Sequence, residues 1–168
     1  MLERTEVRVQ IDGSGTARIE TGVPVLDHLL GLLARYSNFD ISLAVAPGAA
    51  EDEVDAAGVA LGEALAEPLR ADGARGFGSV AVPADEALAH VALDVADRAL
   101  LVSNVDLTEA RVAGLGSDLA ASFLREFAVG AGLTLHVRLM EGRDTQHVLD
   151  AIFKALGAAL AQACGRRE

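Results

Sequence analysis

The chain has 168 residues, 51% of them hydrophobic, which suffices for the core of one compact domain and argues against a disordered chain. Its formal net charge of −11, with no cluster of Lys and Arg interleaved with aromatics, argues against nucleic acid as a partner. The single cysteine, Cys164, excludes an intrachain disulfide. No uninterrupted apolar run approaches bilayer length and Met1-Leu2-Glu3-Arg4-Thr5-Glu6 turns polar at once, so neither membrane insertion nor secretion is expected, and the expected compartment is the cytoplasm.

Val7, Val9 and Ile11 alternate with Arg8 and Gln10 as in a half-buried strand, and Asp12-Gly13-Ser14-Gly15 supplies turn residues before Thr16 to Glu20. A hairpin is expected there. Beyond Pro24, Leu26, Leu29, Leu30 and Leu33 recur at helical spacing as far as Ser37-Asn38, and Phe39, Ile41, Leu43 and Val45 then alternate as a strand. From Asp52 to Leu69 the pattern is helical again, with Gly58 and Gly62 inside it, a sign of close packing against another element. After a break at Gly73 to Gly78, Val80 with Val82, Leu88 to Val95, and Ala99 to Val105 read as strands. Asp118 to Val129 is an amphipathic helix, Leu133, Leu135, Val137 and Leu139 mark a strand, and Gln146 to Ala163 is the last helix.

The second half repeats the first. Residues 51–65 and 146–160 are identical at seven of fifteen positions, with Asp55/Asp150, Leu61/Leu156 and Gly62/Gly157 in register. The expected fold class is α+β, a single domain over 1–168 made of two tandem copies of a sheet-plus-two-helices unit, 1–76 and 77–168.

The chemistry-bearing residues gather at the repeated helix starts. Glu51 and Asp55 stand at i and i+4, Asp52 and Asp55 at i and i+3; in the second copy Gln146 and His147 hold the same relations to Asp150. Each spacing puts two donors on one helix face, where they can converge on a cation. Acidic residues in a first turn are also favoured by the helix dipole alone, and a lone histidine is more often structural than a ligand. The residues by themselves leave both readings open.

Thr21-Gly22-Val23-Pro24-Val25-Leu26-Asp27-His28, Asp85-Glu86-Ala87-Leu88, Leu93-Asp94 to Arg98, Leu135-His136-Val137, and His147 through Asp150-Ala151-Ile152-Phe153-Lys154 resemble the motifs of the imidazoleglycerol-phosphate dehydratase family of histidine biosynthesis. The likeness covers nearly the whole chain. It implies duplicated units assembled as a large symmetric shell, with manganese sites completed between subunits. Carried over by position, His28, His136 and His147 match metal histidines, Asp150 matches a metal carboxylate and candidate base, and Arg98 and Lys154 match phosphate-binding residues.

The departures are specific. Two family His-His-x-x-Glu helix starts read here Glu51-Asp52-Glu53-Val54-Asp55 and Gln146-His147-Val148-Leu149-Asp150. The implied metal set is thus His28, Glu51, Asp52, Asp55, His136, Gln146, His147 and Asp150, a harder set that suits Mn²⁺ or Mg²⁺ at partial or zero occupancy. A phosphate-binding arginine is replaced by Gly76, with Arg75 adjacent, and Glu6 stands for an N-terminal catalytic glutamate. The resemblance implies a metal-dependent hydro-lyase acting on a small phosphorylated imidazole. Two other readings stay open: an inactive shell-forming relative with a structural or regulatory role, and an altered lyase for another small phosphorylated molecule.

Overall fold

A computed structural model describes residues 4–105, 111–112 and 115–167. Strands β1 (Glu6–Gln10), β2 (Ala17–Glu20) and β3 (Asp40–Ala44) alternate with helices α1 (Pro24–Ser37) and α2 (Ala50–Leu69). The second half contains β4 (Phe77–Ala84), β5 (Ala87–Val95), β6 (Leu100–Ser103), β7 (Arg111–Val112), β8 (Leu115–Gly116), α3 (Ser117–Ala131), β9 (Leu133–Glu141) and α4 (Thr145–Cys164).

The expected opening hairpin does not form. β3 lies between β1 and β2, antiparallel to the first and parallel to the second. The turn is held instead by the start of β3: one Asp40 carboxylate oxygen accepts the backbone N–H groups of Ser14 and Thr16, both at 3.0 Å, and Ile41 N–H donates to Thr16 O at 2.9 Å. These bonds wrap the Asp12–Thr16 turn around the start of β3, and α1 then makes the crossover that a parallel β2–β3 pair requires.

The same topology recurs in the second sheet, ordered β4-β5-β9-β6: β9 is antiparallel to β5 and parallel to β6, with β4 added at the edge. α1 packs on β2 and α2 on β1, while α3 meets β6 and α4 covers β4 and β5. Helix then meets helix, α1 on α4 and α2 on α3. Small residues permit that approach. A side-chain carbon at Gly62 would lie 2.5 Å from Phe127 O in α3, and one at its repeat mate Gly157 would lie 2.4 Å from Leu33 O in α1.

The apolar stripe of each helix fills the space between the sheets, where Phe123, Phe127 and Phe153 cluster with ring centroids 5.5–6.0 Å apart among fully buried leucines. Among the described residues, α4 is the one helix long and apolar enough to cross a membrane, but Leu149, Ile152, Phe153, Leu156 and Leu160 are all buried here, as in a core helix. At its end the half-buried Cys164 thiol is pushed up to about 11 by desolvation, which keeps it protonated and unreactive.

Candidate metal centre

The start of α4 organises the site. Asp144 is its N-cap, accepting the His147 backbone N–H at 3.1 Å, and this fixes the direction in which the first turn projects its side chains. Gln146 and Asp150, four residues apart, share a face turned toward α1. His147, about 100° further round the helix, faces the tip of the β4–β5 hairpin.

On the α1 side, the approach to the helix is locked by Thr21, which is fully buried. Its N–H donates to Asp27 Oδ1 at 2.9 Å, and its hydroxyl lies between that carboxylate and the Val23 backbone. The next residue, His28, therefore projects toward α4 with Nε2 3.1 Å from Asp150 Oδ1, and Gln146 Nε2 donates to the same oxygen at 2.7 Å. Two ligand atoms at right angles, each about 2.1 Å from an octahedral cation, are about 3 Å apart. The His28–Asp150 spacing fits that requirement, and the donor set of one imidazole, one carboxylate and one amide suits a hard or borderline divalent ion. One chain supplies too few donors here to fill such a shell.

On the hairpin side, β4 and β5 are joined by the two residues Asp85 and Glu86, with Asp85 at φ 55°, a left-handed conformation that Asp tolerates. Glu86 Oε2 accepts the N–H groups of Arg143 and Asp144 at 2.7 and 3.1 Å, and Oε1 lies 2.5 Å from His147 Nδ1. The Arg143 N–H, then His147, then the Asp144 N–H hold the Glu86 carboxyl down at about 2, and the Glu86 bond raises His147. Asp85, Glu86 and His147 offer ligand atoms within 4.8 Å of one another. Both oxygens of Glu86 make these bonds, so the carboxylate also orients the histidine and the turn.

The other expected residues lie elsewhere in the chain. In β9, Leu133, Leu135 and Val137 are buried beneath the helices, so the alternation turns His136 and Arg138 to the outer face of the second sheet. There His136 lines a cavity of about 390 Å³ with His90, Ala92, Val102, Ser103 and Asn104, and His90 Nε2 is bonded to Ser79 Oγ at 2.6 Å. His136 does not meet His28 or His147 within one chain. Glu51, Asp52 and Asp55 open α2, where the neighbouring Glu53 side chain lies against Gly22, close to the start of α1. Glu6 is exposed on β1, in the first sheet.

Lys154 follows Asp150 by one turn on α4, its ammonium 5.4 Å from the centre of the Tyr36 ring. Arg75 is at the other end of α4: its N–H donates to Gly165 O at 2.9 Å and its guanidinium stacks over Phe77 at 4.6 Å. Eighteen residues of helix, about 27 Å, separate that end from His147. Arg98 is exposed before β6, its carbonyl accepting from the Thr134 hydroxyl. Sequence reasoning assigned no role to Glu86 and Asp144, although Asp85-Glu86 stands inside a matched motif. Their contacts need the hairpin tip to meet a helix start some 60 residues later in the chain, and only the Asp144 cap, three residues before His147, had a local signal.

A duplicated α+β fold whose helix starts bring a histidine and a carboxylate together has the donors of a metal-dependent protein. The match is specific: the family model for imidazoleglycerol-phosphate dehydratase covers residues 21–160, and the chain belongs to that family. It is 40% identical over 165 residues to the imidazoleglycerol-phosphate dehydratase of Desulforudis audaxviator (strain MP104C), covering 95% of this chain and 84% of that protein. To the one from Syntrophobacter fumaroxidans (strain DSM 10017 / MPOB) it is 43% identical over 157 residues, covering 91% and 80%. The crystal structure of imidazoleglycerol-phosphate dehydratase from Staphylococcus aureus subsp. aureus N315 superimposes with a TM-score of 0.90 at 29% identity, over 98% of this chain and 95% of that one.

Proposed function

We propose that this chain is a cytoplasmic, metal-dependent hydro-lyase that removes water from imidazoleglycerol phosphate in histidine biosynthesis. The observation that carries the reading is the convergence of His28 and Asp150, in a chain of this family, at a separation that two adjacent ligands of one cation can also adopt. His28, His147, Asp150 and Gln146 are its donors from one copy, with Glu51, Asp52 and Asp55 offering the equivalent carboxylates of the first repeat. The repeats themselves are 1–76 and 77–168. Mn²⁺, or Mg²⁺ in its place, would supply Lewis-acid stabilisation of the substrate imidazole.

Asp150 takes the carbon-bound proton. Its bonds to His28 and Gln146 both fall on Oδ1, so neither engages Oδ2. Lys154, one turn along the same face, and Arg98 neutralise the phosphate, the lysine as a point charge and the arginine as a fork. Glu6 serves as the second acid–base group. His136, Arg75 and Arg98 join the site from neighbouring copies, since the β9 alternation turns the first outward and the other two lie at the end of the second sheet far from the α4 start of their own chain.

A homo-oligomeric shell suits this arrangement, because the outer face that carries His136 also exposes Phe77, Leu100, Val102 and Met140. An inactive shell-forming relative is the second reading, favoured by the Gln146 amide that occupies the Asp150 oxygen a ligand would use. Metal content of protein purified without chelator, together with turnover of imidazoleglycerol phosphate in added Mn²⁺, separates the two. Bound metal with dehydration supports the enzyme; absence of both favours the inactive shell.

A further inference from the structure

We propose that Glu86 is a positioning residue for His147: it holds the imidazole with the proton on Nδ1 and so presents Nε2, lone pair outward, to the cation. This rests on the reading of His147 as a metal ligand. Every atom of the carboxylate is accounted for, because Oε2 is clamped by two successive backbone N–H groups and Oε1 meets Nδ1. The clamp is rigid at both ends. Glu86 sits in a two-residue hairpin turn, and its N–H donors belong to the segment whose Asp144 caps α4.

A carboxylate fixed in this way accepts and does not donate, so the hydrogen of the shared bond belongs to the ring. In the neutral ring the opposite nitrogen is then the one without a proton, and its direction is set, the condition for a ligating imidazole supported from behind by a carboxylate. A hydrogen bond that positions a metal ligand in this manner contributes on the order of 10–100-fold in metal affinity.

Glu86→Gln isolates the effect. Its amide oxygen can still accept the Arg143 and Asp144 N–H groups, while its NH₂ now faces Nδ1 and forces that nitrogen to become the acceptor. We expect Glu86→Gln to fold and assemble as the wild type does, to bind Mn²⁺ on the order of 10–100-fold more weakly by titration calorimetry, and to move the His147 proton from Nδ1 to Nε2. The proton is read in solid-state ¹⁵N spectra of histidine-labelled, metal-free protein, with His147→Ala giving the assignment. Mn²⁺ affinity within twofold of wild type in a folded Glu86→Gln protein overturns the inference. So does a wild-type spectrum of the neutral ring with the proton on Nε2 alone, a readout that stands even if the variant fails to fold. Failure of the wild type itself to take up Mn²⁺ overturns the metal centre, and this inference with it.

Discussion

His28 and Asp150, 122 positions apart in the chain, meet with Nε2 and Oδ1 3.1 Å apart where the starts of α1 and α4 converge. The imidazole is 52% exposed, and an ion pair in that setting contributes at most about 1 kcal/mol to folding. His28→Ala should therefore cost less than about 1 kcal/mol in urea unfolding while weakening Mn²⁺ binding by more than tenfold. A stability loss without any change in Mn²⁺ affinity would identify the pair as structural only.

The substituted donors make gain-of-function variants informative. Asp150→Glu restores one methylene and should raise kcat, by up to roughly 10²-fold if the shorter base sits too far from the proton. Gln146→His should tighten Mn²⁺ binding, because imidazole is the better donor and the amide no longer occupies Asp150 Oδ1. Steady-state kinetics and metal titration of the two variants check both expectations. No gain in either would mean the native residues are already matched to the site.

The helix contacts predict opposite signs for three glycine substitutions. Gly62→Ala and Gly157→Ala would drive a methyl into backbone carbonyls at 2.5 and 2.4 Å, and this overpacking, about 1–3 kcal/mol, exceeds the roughly 1 kcal/mol that Ala gains in helix propensity. At Gly31, within α1, a side-chain carbon would meet nothing within 4 Å, so Gly31→Ala should stabilise by up to about 1 kcal/mol. Denaturant unfolding of the three variants tests the packing directly.

Asp40 gives an acid-side prediction. The Thr16 N–H first, then the Ser14 N–H, lower its carboxyl below the ordinary value of 3.8. A depressed carboxyl contributes stability that is fully present above its unfolded value and is lost as pH falls through the folded one. Asp40→Asn should thus be less stable than wild type at neutral pH, and the gap should narrow below about pH 4. A gap independent of pH would show that the carboxylate charge does not hold the β1–β2 turn.

Much of this was legible in the residues. The repeat read from Asp55/Asp150 and Gly62/Gly157 reappears as helices of the same bounds, α2 over 50–69 and α4 over 145–164, and the glycines mark helix contacts as their placement inside a helix implied. The hairpin expectation failed because Asp12-Gly13-Ser14-Gly15 has turn chemistry that says nothing about pairing partners, and the Asp40 that holds the turn lies 26 residues after Ser14. His136 could have been set apart from His147 in advance, since a strand with Leu133, Leu135 and Val137 inward must turn position 136 outward. The grip of Glu86 on His147 had no local signature, being made between residues 61 apart.

The proposed site joins donors of one copy, His147 among them, to His136 of another, and subunit mixing tests this most directly. His136→Ala and His147→Ala chains, each alone, should take up no Mn²⁺; co-assembled at equal amounts, they should recover about a quarter of the wild-type sites, where an intact His136 faces an intact His147. Full Mn²⁺ binding by either variant alone, or no recovery in assemblies shown to contain both chains, would contradict it.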